Sequence, residues 1–187
     1  MIQTKQDLHT YLEEDRKANL GSKRSVNPLK YIAGLIYKQE NILAYRYLKT
    51  LRHREYHMNN TGLYHRIMAL YYRVRQNRLT FDYGIQIHPN NVGYGLTIRH
   101  LSGGVIINCK SMGCHCTVNG GVVVGNKNSQ ENIATIGNNV RLSVGCKVIG
   151  KITLGDGAVV APNTVVIKDV PAGAVVSGVP AVIIKQN

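Results

Sequence analysis

The sequence of 187 residues predicts a parallel β-solenoid preceded by a helical region. Residues 1–80 carry apolar side chains at helical spacing, whereas beyond about residue 84 glycine becomes frequent and an aliphatic side chain recurs every six positions. A period of six residues fits neither an α-helix nor an alternating strand, and it is typical of coils with three short flat sides. We therefore divide the chain into a helical region, 1–80, and a solenoid domain, 81–187.

Three segments of the first region have helical patterns. Asn27-Pro28 provides a helix cap followed by proline at the first helical position. Two amphipathic runs, 41–54 and 63–78, follow it. Their apolar positions are Leu43, Tyr47 and Leu51 in the first run, and Ile67, Leu70, Tyr71 and Val74 in the second. We expect a helical cap whose tyrosines pack inward and whose arginines face solvent.

The solenoid domain is predicted to bury one aliphatic side chain on each side of every coil, so that stacked coils share a continuous core. The predicted inward positions form three series: Val92 and Ile98; Ile106, Met112, Val118 and Val124; and Ile136, Leu142, Val148, Leu154, Val160 and Val166. Mostly small or β-branched residues lie four positions after the members of the last series: Val140, Cys146, Ile152, Ala158, Thr164 and Val170. Their size allows the chain to turn at each corner.

The six-residue register is interrupted at two places. The first interruption, after Ile98, inserts two residues and contains His100 and Gly103-Gly104. At the second, Gln130 stands where an aliphatic residue is due, so the polar run 125–132 is predicted to be a loop that leaves the solenoid. Loops held by a rigid scaffold often carry function, and both interruptions are therefore candidate sites.

The chain is strongly basic, with a formal net charge of +13, and the first region holds most of the surplus. Residues 1–80 contain 15 of the 23 Lys and Arg but 6 of the 10 Asp and Glu. A basic surface favours anionic partners, which include nucleic acid, an acidic membrane surface and phosphorylated small molecules. The sequence contains no recognisable nucleic-acid-binding module, so we expect no nucleic acid partner. A peripheral membrane contact through the basic helices stays open.

The composition also bears on compartment and on metals. The sequence has no run of 18 apolar residues and its N-terminus lacks the apolar core of a secretion signal, so we expect a cytoplasmic protein. The four cysteines are then expected to be reduced thiols. Cys114-His115-Cys116 is too closely spaced for a structural zinc site, which needs two pairs of ligands, and no metal is expected.

Four segments of the solenoid domain carry motifs: Ile87-His88-Pro89, Val92-Gly93-Tyr94-Gly95-Leu96, Ile98-Arg99-His100-Leu101-Ser102-Gly103 and Ser177-Gly178-Val179-Pro180-Ala181. With these motifs the chain resembles the hexapeptide-repeat acyltransferases, most closely the serine acetyltransferase-like branch, over about residues 84–187. The resemblance implies a left-handed parallel β-helix, a homotrimer with active sites between subunits, and acetyl-CoA as acyl donor.

The resemblance also implies roles for individual residues. His100 matches the catalytic histidine, and a neutral imidazole is a suitable base for removing a proton from an attacking hydroxyl group. Gln86 stands where the family has an aspartate that orients this histidine. The positions that match contacts to acetyl-CoA are Ser143, Ala161, Ser177, Gly178 and Lys185.

The chain departs from the serine-specific members of that branch. Asn132 and Ile133 occupy the positions of the family's arginine and histidine that bind the serine carboxylate, although Lys127 or Arg99 could supply a cation instead. Val124-Gly125-Asn126-Lys127 resembles a loop of polysaccharide-linked acetyltransferases. We therefore expect a small-molecule or lipid-linked sugar acceptor in capsule or exopolysaccharide synthesis. The alternatives are a serine O-acetyltransferase and a catalytically silent scaffold.

Overall fold

The computed structural model describes residues 1–22, 27–129 and 131–186, and Gln130 lies outside them. Four helices open the chain: α1 Lys5–Leu20, α2 Pro28–Ile36, α3 Glu40–Met58 and α4 Leu63–Tyr83. The strands that follow are β1 Ile85–Ile87, β2 Thr97–Arg99, β3 Val105–Ile107, β4 Ser111–Met112, β5 Thr117–Asn119, β6 Val122–Gly125, β7 Thr135–Ile136, β8 Arg141–Leu142, β9 Lys147–Ile149, β10 Thr153–Leu154, β11 Val159–Val160, β12 Val165–Val166, β13 Val175–Ser177 and β14 Val182–Lys185. The last helix thus ends three residues beyond the predicted region boundary.

The strands form a solenoid of about five turns with three sheets. The sheet orders are β1-β3-β6-β9-β12, β10-β7-β4 and β14-β13-β11-β8-β5-β2. Neighbouring strands are parallel throughout, apart from the antiparallel pair of β13 and β14. This arrangement confirms the predicted parallel β-helix with a short helical region before it. Gly125 is the last residue of β6, and the described residues 126–129 and 131–132 of the polar run lie outside the strands, as predicted for a loop.

The interior of the solenoid contains the predicted residues with one exception. All members of the first and third series are buried, and so are the six residues that follow the third series by four positions. In the second series Ile106 is 40% exposed, and its neighbours Val105 and Ile107 are buried instead. The prediction for Ile106 is wrong because a 3₁₀ turn, Leu101–Gly103, shifts the register. Ile107 pairs with Val124, which places it in the interior column.

The three predicted helices form as α2, α3 and α4, whereas α1 was not predicted, and α4 presents its apolar face to solvent. Asn27 caps α2 by accepting a hydrogen bond from the backbone N–H of Leu29 at 2.9 Å. In α3, Tyr47 and Leu51 are fully buried. In α4 the buried residues are Gln76 and Leu79. The predicted apolar face is between 47% and 61% exposed at Ile67, Leu70, Tyr71 and Val74.

A buried ionic network connects the helices to the first coil. Arg52 of α3 is fully buried and contacts Asp15 of α1 at 2.8 Å and Glu55 at 3.0 Å. It also donates hydrogen bonds to the backbone carbonyls of Val92 and Gly93. Although burial disfavours the charge, the two carboxylates hold the pKa of Arg52 above its usual value. At the end of a solenoid no further coil is present to pair with the backbone, so Arg52 supplies the hydrogen-bond partner of these two carbonyls.

The cysteines of the interior are packing residues. Burial raises the pKa of Cys109 and Cys146 to about 12 and that of Cys116 to about 11, so these thiols stay protonated and unreactive at neutral pH. Within residues 1–22, 27–129 and 131–186, no group of three or more His, Cys, Asp or Glu is placed to hold a metal ion. None of the helices described is long and apolar enough to cross a membrane.

Candidate active site

His100 lies immediately after β2, at the first interruption of the solenoid register. Its backbone is in the left-handed region, with φ 59° and ψ 57°, and it begins the 3₁₀ turn. A Cβ atom at Gly120, in the next coil, would overlap the carbonyl oxygen of His100, so that position requires glycine. The histidine is therefore packed closely against the next coil, in a left-handed conformation that it shares with other turn residues of the solenoid such as His115 and Asn139.

A cavity of about 470 Å³ opens beside His100. It lies between the end of α1, the start of α3 and the strand β2. Its lining residues are Ala18, Asn19, Gln39, Glu40, Asn41, Thr97, Ile98, Arg99 and His100. Asn19 attaches α1 to the wall of the cavity, since its amide accepts from the backbone N–H of Ile98 at 3.2 Å and donates to the carbonyl of Leu96 at 2.8 Å.

Glu40, the first residue of α3, is the carboxylate that contacts His100. Its Oε2 accepts a hydrogen bond from the backbone N–H of His100 at 3.1 Å and lies 4.0 Å from the ring atom Nδ1. The pair is open to solvent, with 65% of the His100 side chain and 49% of the Glu40 side chain exposed. The sequence analysis missed Glu40 because 60 positions separate it from His100 and no local motif marks it.

Arg99 is the cation of this cavity. It is the exposed end residue of β2, directly before His100, and its side chain makes no hydrogen bond or ion pair with the part of the chain that the structure describes. The cavity thus contains one free guanidinium group, one carboxylate and several amide side chains around an imidazole. Such a lining suits a small polar molecule that carries both charges.

Gln86 lies in a different groove. It is the exposed middle residue of β1, and its side chain makes no hydrogen bond to His100 or to any other described residue. The groove has a volume of about 420 Å³ and is lined by Arg54, Arg73, Gln76, Asn77, Thr80, Phe81, Gln86, Ile87, His88 and Pro89. The orienting role of Gln86 stays a prediction, whereas Glu40 is the residue in contact with His100.

Three predicted acetyl-CoA positions occupy equivalent places in successive coils. Ser143, Ala161 and Ser177 each directly follow the inward-facing residue of neighbouring strands, β8, β11 and β13. The backbone N–H of Ser143 donates to the carbonyl of Val160 at 3.0 Å, and that of Ala161 donates to the carbonyl of Val176 at 2.9 Å. The three residues therefore lie in a line along one edge of the six-stranded sheet.

The same line begins at Arg99, the residue directly before His100. Arg99 and Asn119 occupy the equivalent places in the first two coils, because Ile98, Val118 and Leu142 pair in register. Neighbouring strands are about 4.8 Å apart, so the line from Arg99 to Ser177 spans about 19 Å. Gly178 follows Ser177 along the chain, and Lys185 lies on the adjoining strand β14, where it pairs with Val175. An elongated substrate could lie along this edge with its reactive end at His100.

The loop after β6 faces another side of the solenoid. Glu131 and Ile133 line a cavity of about 580 Å³ together with Lys110, Thr135, Lys151, Ile152, Thr153 and Asp169. Asn132 holds the loop together by donating to the carbonyl of Lys127 at 3.1 Å. The positions matched to the family's carboxylate-binding residues are therefore not part of the His100 cavity of the same chain.

Comparisons with known proteins give the family. A serine acetyltransferase of Bacillus licheniformis is 35% identical over 152 residues, which cover 79% of this chain and 68% of that protein. The chain belongs to the serine acetyltransferase family. A serine acetyltransferase of Buchnera aphidicola is 31% identical over 94% of this chain and 61% of its own length, and that of Synechococcus elongatus is 35% identical over 56% and 44%. The chain thus spans less than two thirds of the length of two of these relatives, those of Buchnera aphidicola and Synechococcus elongatus.

Solved structures of serine acetyltransferases share the fold. A crystal structure of the enzyme from Brucella abortus superposes with a TM-score of 0.73 over 98% of this chain and 71% of that one, at 24% identity. A serine acetyltransferase in complex with CoA matches with a TM-score of 0.67 over 96% and 71%, at 21% identity. No protein-family model matches the chain.

Family membership agrees with the predicted class, an acetyl-CoA-dependent acyltransferase, and contradicts the predicted acceptor. The prediction of a sugar acceptor in polysaccharide synthesis is wrong, since the relatives that match up to 94% of this chain are serine acetyltransferases, which was the alternative. Nothing in these relatives supports the membrane contact predicted for the basic helices. The acceptor prediction failed because it rested on two loop positions rather than on the residues around His100.

Proposed function

We propose that this chain transfers the acetyl group of acetyl-CoA to the hydroxyl group of serine, with His100 as the general base. The observation that carries the proposal is the position of His100 at one end of the line of predicted acetyl-CoA contacts and inside a cavity that holds both a cation and a carboxylate. Serine is a zwitterion at neutral pH, so a site for it needs partners for both charges. The identity to serine acetyltransferases supports the same acceptor.

In the proposed mechanism acetyl-CoA supplies the acetyl group as an activated thioester. His100 takes the hydroxyl proton of serine as the serine oxygen attacks the thioester carbonyl carbon, and it returns this proton to the sulfur that leaves. Glu40 lies on the Nδ1 side of the ring, which leaves Nε2 as the nitrogen that exchanges the proton. Its negative charge favours the imidazolium formed during transfer. Its bond to the His100 backbone keeps the carboxylate beside the ring.

Arg99 is proposed to bind the serine carboxylate in place of the family residues that Asn132 and Ile133 replace. A guanidinium group can donate two parallel hydrogen bonds to a carboxylate, and Arg99 has no competing partner among the described residues. The substitution Arg99→Gln is expected to raise the KM for serine by about tenfold or more and to change kcat less, because the lost contact is present before and during the reaction. Initial rates at varied serine and saturating acetyl-CoA measure both constants.

The matched control for Arg99 is Arg78→Gln. Arg78 is an exposed arginine of α4 that lines none of the cavities described above. Its substitution is expected to leave KM and kcat unchanged. An unchanged KM for serine in Arg99→Gln, or an equal rise in Arg78→Gln, would show that Arg99 does not recognise the carboxylate.

We also propose that the active form is a homotrimer. In one chain the His100 side chain is 65% exposed, so water reaches the proposed base freely. A neighbouring subunit packed against the solenoid would close the site, and closed cyclic assemblies are a common way of using one such surface. Light scattering of the purified protein is expected to give three times the 20.7 kDa of one chain. A stable monomer with full activity would contradict the proposal.

A further inference from the structure

A second cavity lies among the helices, apart from the proposed active site. It has a volume of about 450 Å³, within the usual range for sites of small ligands. Helices α2, α3 and α4 line it with Tyr31, Leu35, Arg46, Lys49, Thr50, His53, Tyr72 and Arg75. Three of these side chains carry a positive charge and none carries a negative charge. The cavity shares no lining residue with the cavity of His100.

The three cations of this cavity lack anionic partners. Arg46 donates to the hydroxyl of Tyr83 at 3.2 Å, and Arg75 donates to the hydroxyl of Tyr71 at 3.2 Å. Within residues 1–22, 27–129 and 131–186, no ion pair includes Arg46, Lys49 or Arg75. Because neutral hydroxyl groups do not compensate charge, the three cations repel one another across the cavity.

The positive charges affect the pKa values of two titratable side chains in the wall of the cavity. Burial lowers the pKa of His53, and Lys49, His57 and Arg75 lower it further. Burial raises the pKa of Tyr31, and Arg46 and Arg75 oppose that rise. No acidic side chain contributes to the shift of His53. The cavity is therefore electropositive, and an anion inside it would remove the repulsion.

We propose that this cavity binds a small phosphorylated anion. Two guanidinium groups and one ammonium group converge on a single space, and the fork of arginine donors matches the oxygens of a phosphate group. His53 and Tyr72, whose rings stack with centroids 5.0 Å apart, form the aromatic part of the cavity wall. The convergence of the charges on one cavity favours a small anion over the extended backbone of a nucleic acid.

The test measures binding of inorganic pyrophosphate to the full chain by calorimetry, without CoA, because CoA is itself a phosphorylated anion and would compete for the cavity. Arg75→Gln and Arg46→Gln are each expected to weaken binding by about tenfold, the usual weight of a charge-assisted hydrogen bond. The control Arg78→Gln changes the same residue type on α4 outside the cavity and is expected to bind as the unaltered protein does. No binding of pyrophosphate or of phosphatidic acid vesicles, or an equal loss in Arg78→Gln, would overturn the proposal.

Three further measurements separate the alternatives. Vesicles that contain phosphatidic acid test a lipid headgroup as the source of the phosphate, and capture by vesicles alone, lost in Arg75→Gln, would identify that source. A single-stranded oligonucleotide that binds in place of pyrophosphate and depends equally on Arg78 would overturn the proposal in favour of a nucleic acid surface.

Pyrophosphate is also expected to raise the Tm of the Arg78→Gln protein but not that of Arg75→Gln. A Tm of Arg75→Gln that falls without any anion, with unchanged pyrophosphate affinity, would reveal a purely structural role.

Discussion

Replacing His100 with alanine is expected to lower the kcat for acetyl transfer to serine by about 10²–10⁴-fold, the usual weight of general base catalysis. The side chain is 65% exposed and holds no element of the fold together, so stability and CoA affinity should stay unchanged. Release of the CoA thiol with saturating serine and acetyl-CoA measures the loss, and calorimetry with CoA checks binding.

The matched control for this substitution is His115→Ala. His115 is a second exposed histidine of the solenoid with a positive φ of 55°, close to the 59° of His100, so both substitutions place alanine in the same strained backbone region. Turnover should stay near that of the unaltered protein in His115→Ala. Equal losses in the two variants would mean that the backbone rather than the imidazole explains the effect.

Glu40→Gln completes this comparison. If the carboxylate favours the imidazolium formed at His100, its neutral isostere is expected to lower kcat by about two- to fivefold, since an exposed ion pair contributes about 0.2–1 kcal/mol. Glu14→Gln removes a partly exposed carboxylate on α1 that pairs with Lys17, outside the His100 cavity, and should have no effect. A kcat that is unchanged in Glu40→Gln would remove Glu40 from the mechanism.

Replacing Arg52 with alanine is expected to lower the free energy of unfolding by about 3–5 kcal/mol, the usual effect of removing one partner from a buried ion pair. The substitution leaves the carboxylates of Asp15 and Glu55 buried without their cation, and it leaves the carbonyls of Val92 and Gly93 without a donor. Urea unfolding followed by circular dichroism measures the change.

The control for Arg52→Ala is Arg78→Ala, because Arg78 is exposed to solvent. Its substitution is expected to change the free energy of unfolding by less than about 0.5 kcal/mol. Arg52→Lys, which keeps the charge but not the fork of donors, should fall between the two and provides a measurement if the alanine variant does not fold. Equal stabilities of the Arg52 and Arg78 variants would show that the network does not attach the helices to the solenoid.

The interior of the solenoid could be predicted because its period is a local property of the sequence. Val148 and Val166 pair in register on β9 and β12, as a regular repeat requires. Ile106 was assigned wrongly because a period cannot show how many inserted residues a 3₁₀ turn takes up. The interior position therefore belongs to Ile107.

The candidate site could be predicted only in part, for a related reason. His100 stands inside a recognisable motif, whereas Glu40 reaches it through the packing of α3 on the first coil, and no spacing along the chain encodes that contact. Gln86 was predicted to orient His100 because of its position in the sequence, but in the structure it lines a separate groove. The acceptor was assigned wrongly because Asn132 and Ile133 were weighed more heavily than Arg99.

The measurement that tests the proposed function most directly is the rate of CoA release from acetyl-CoA with L-serine as acceptor. We expect serine-dependent release with a kcat/KM in the usual enzyme range of about 10⁴ M⁻¹s⁻¹ or above, with O-acetylserine as the product, and with little release when serine lacks its carboxylate, as in ethanolamine. Equal rates with serine and ethanolamine, or no serine-dependent release at all from a protein that binds CoA, would contradict the account.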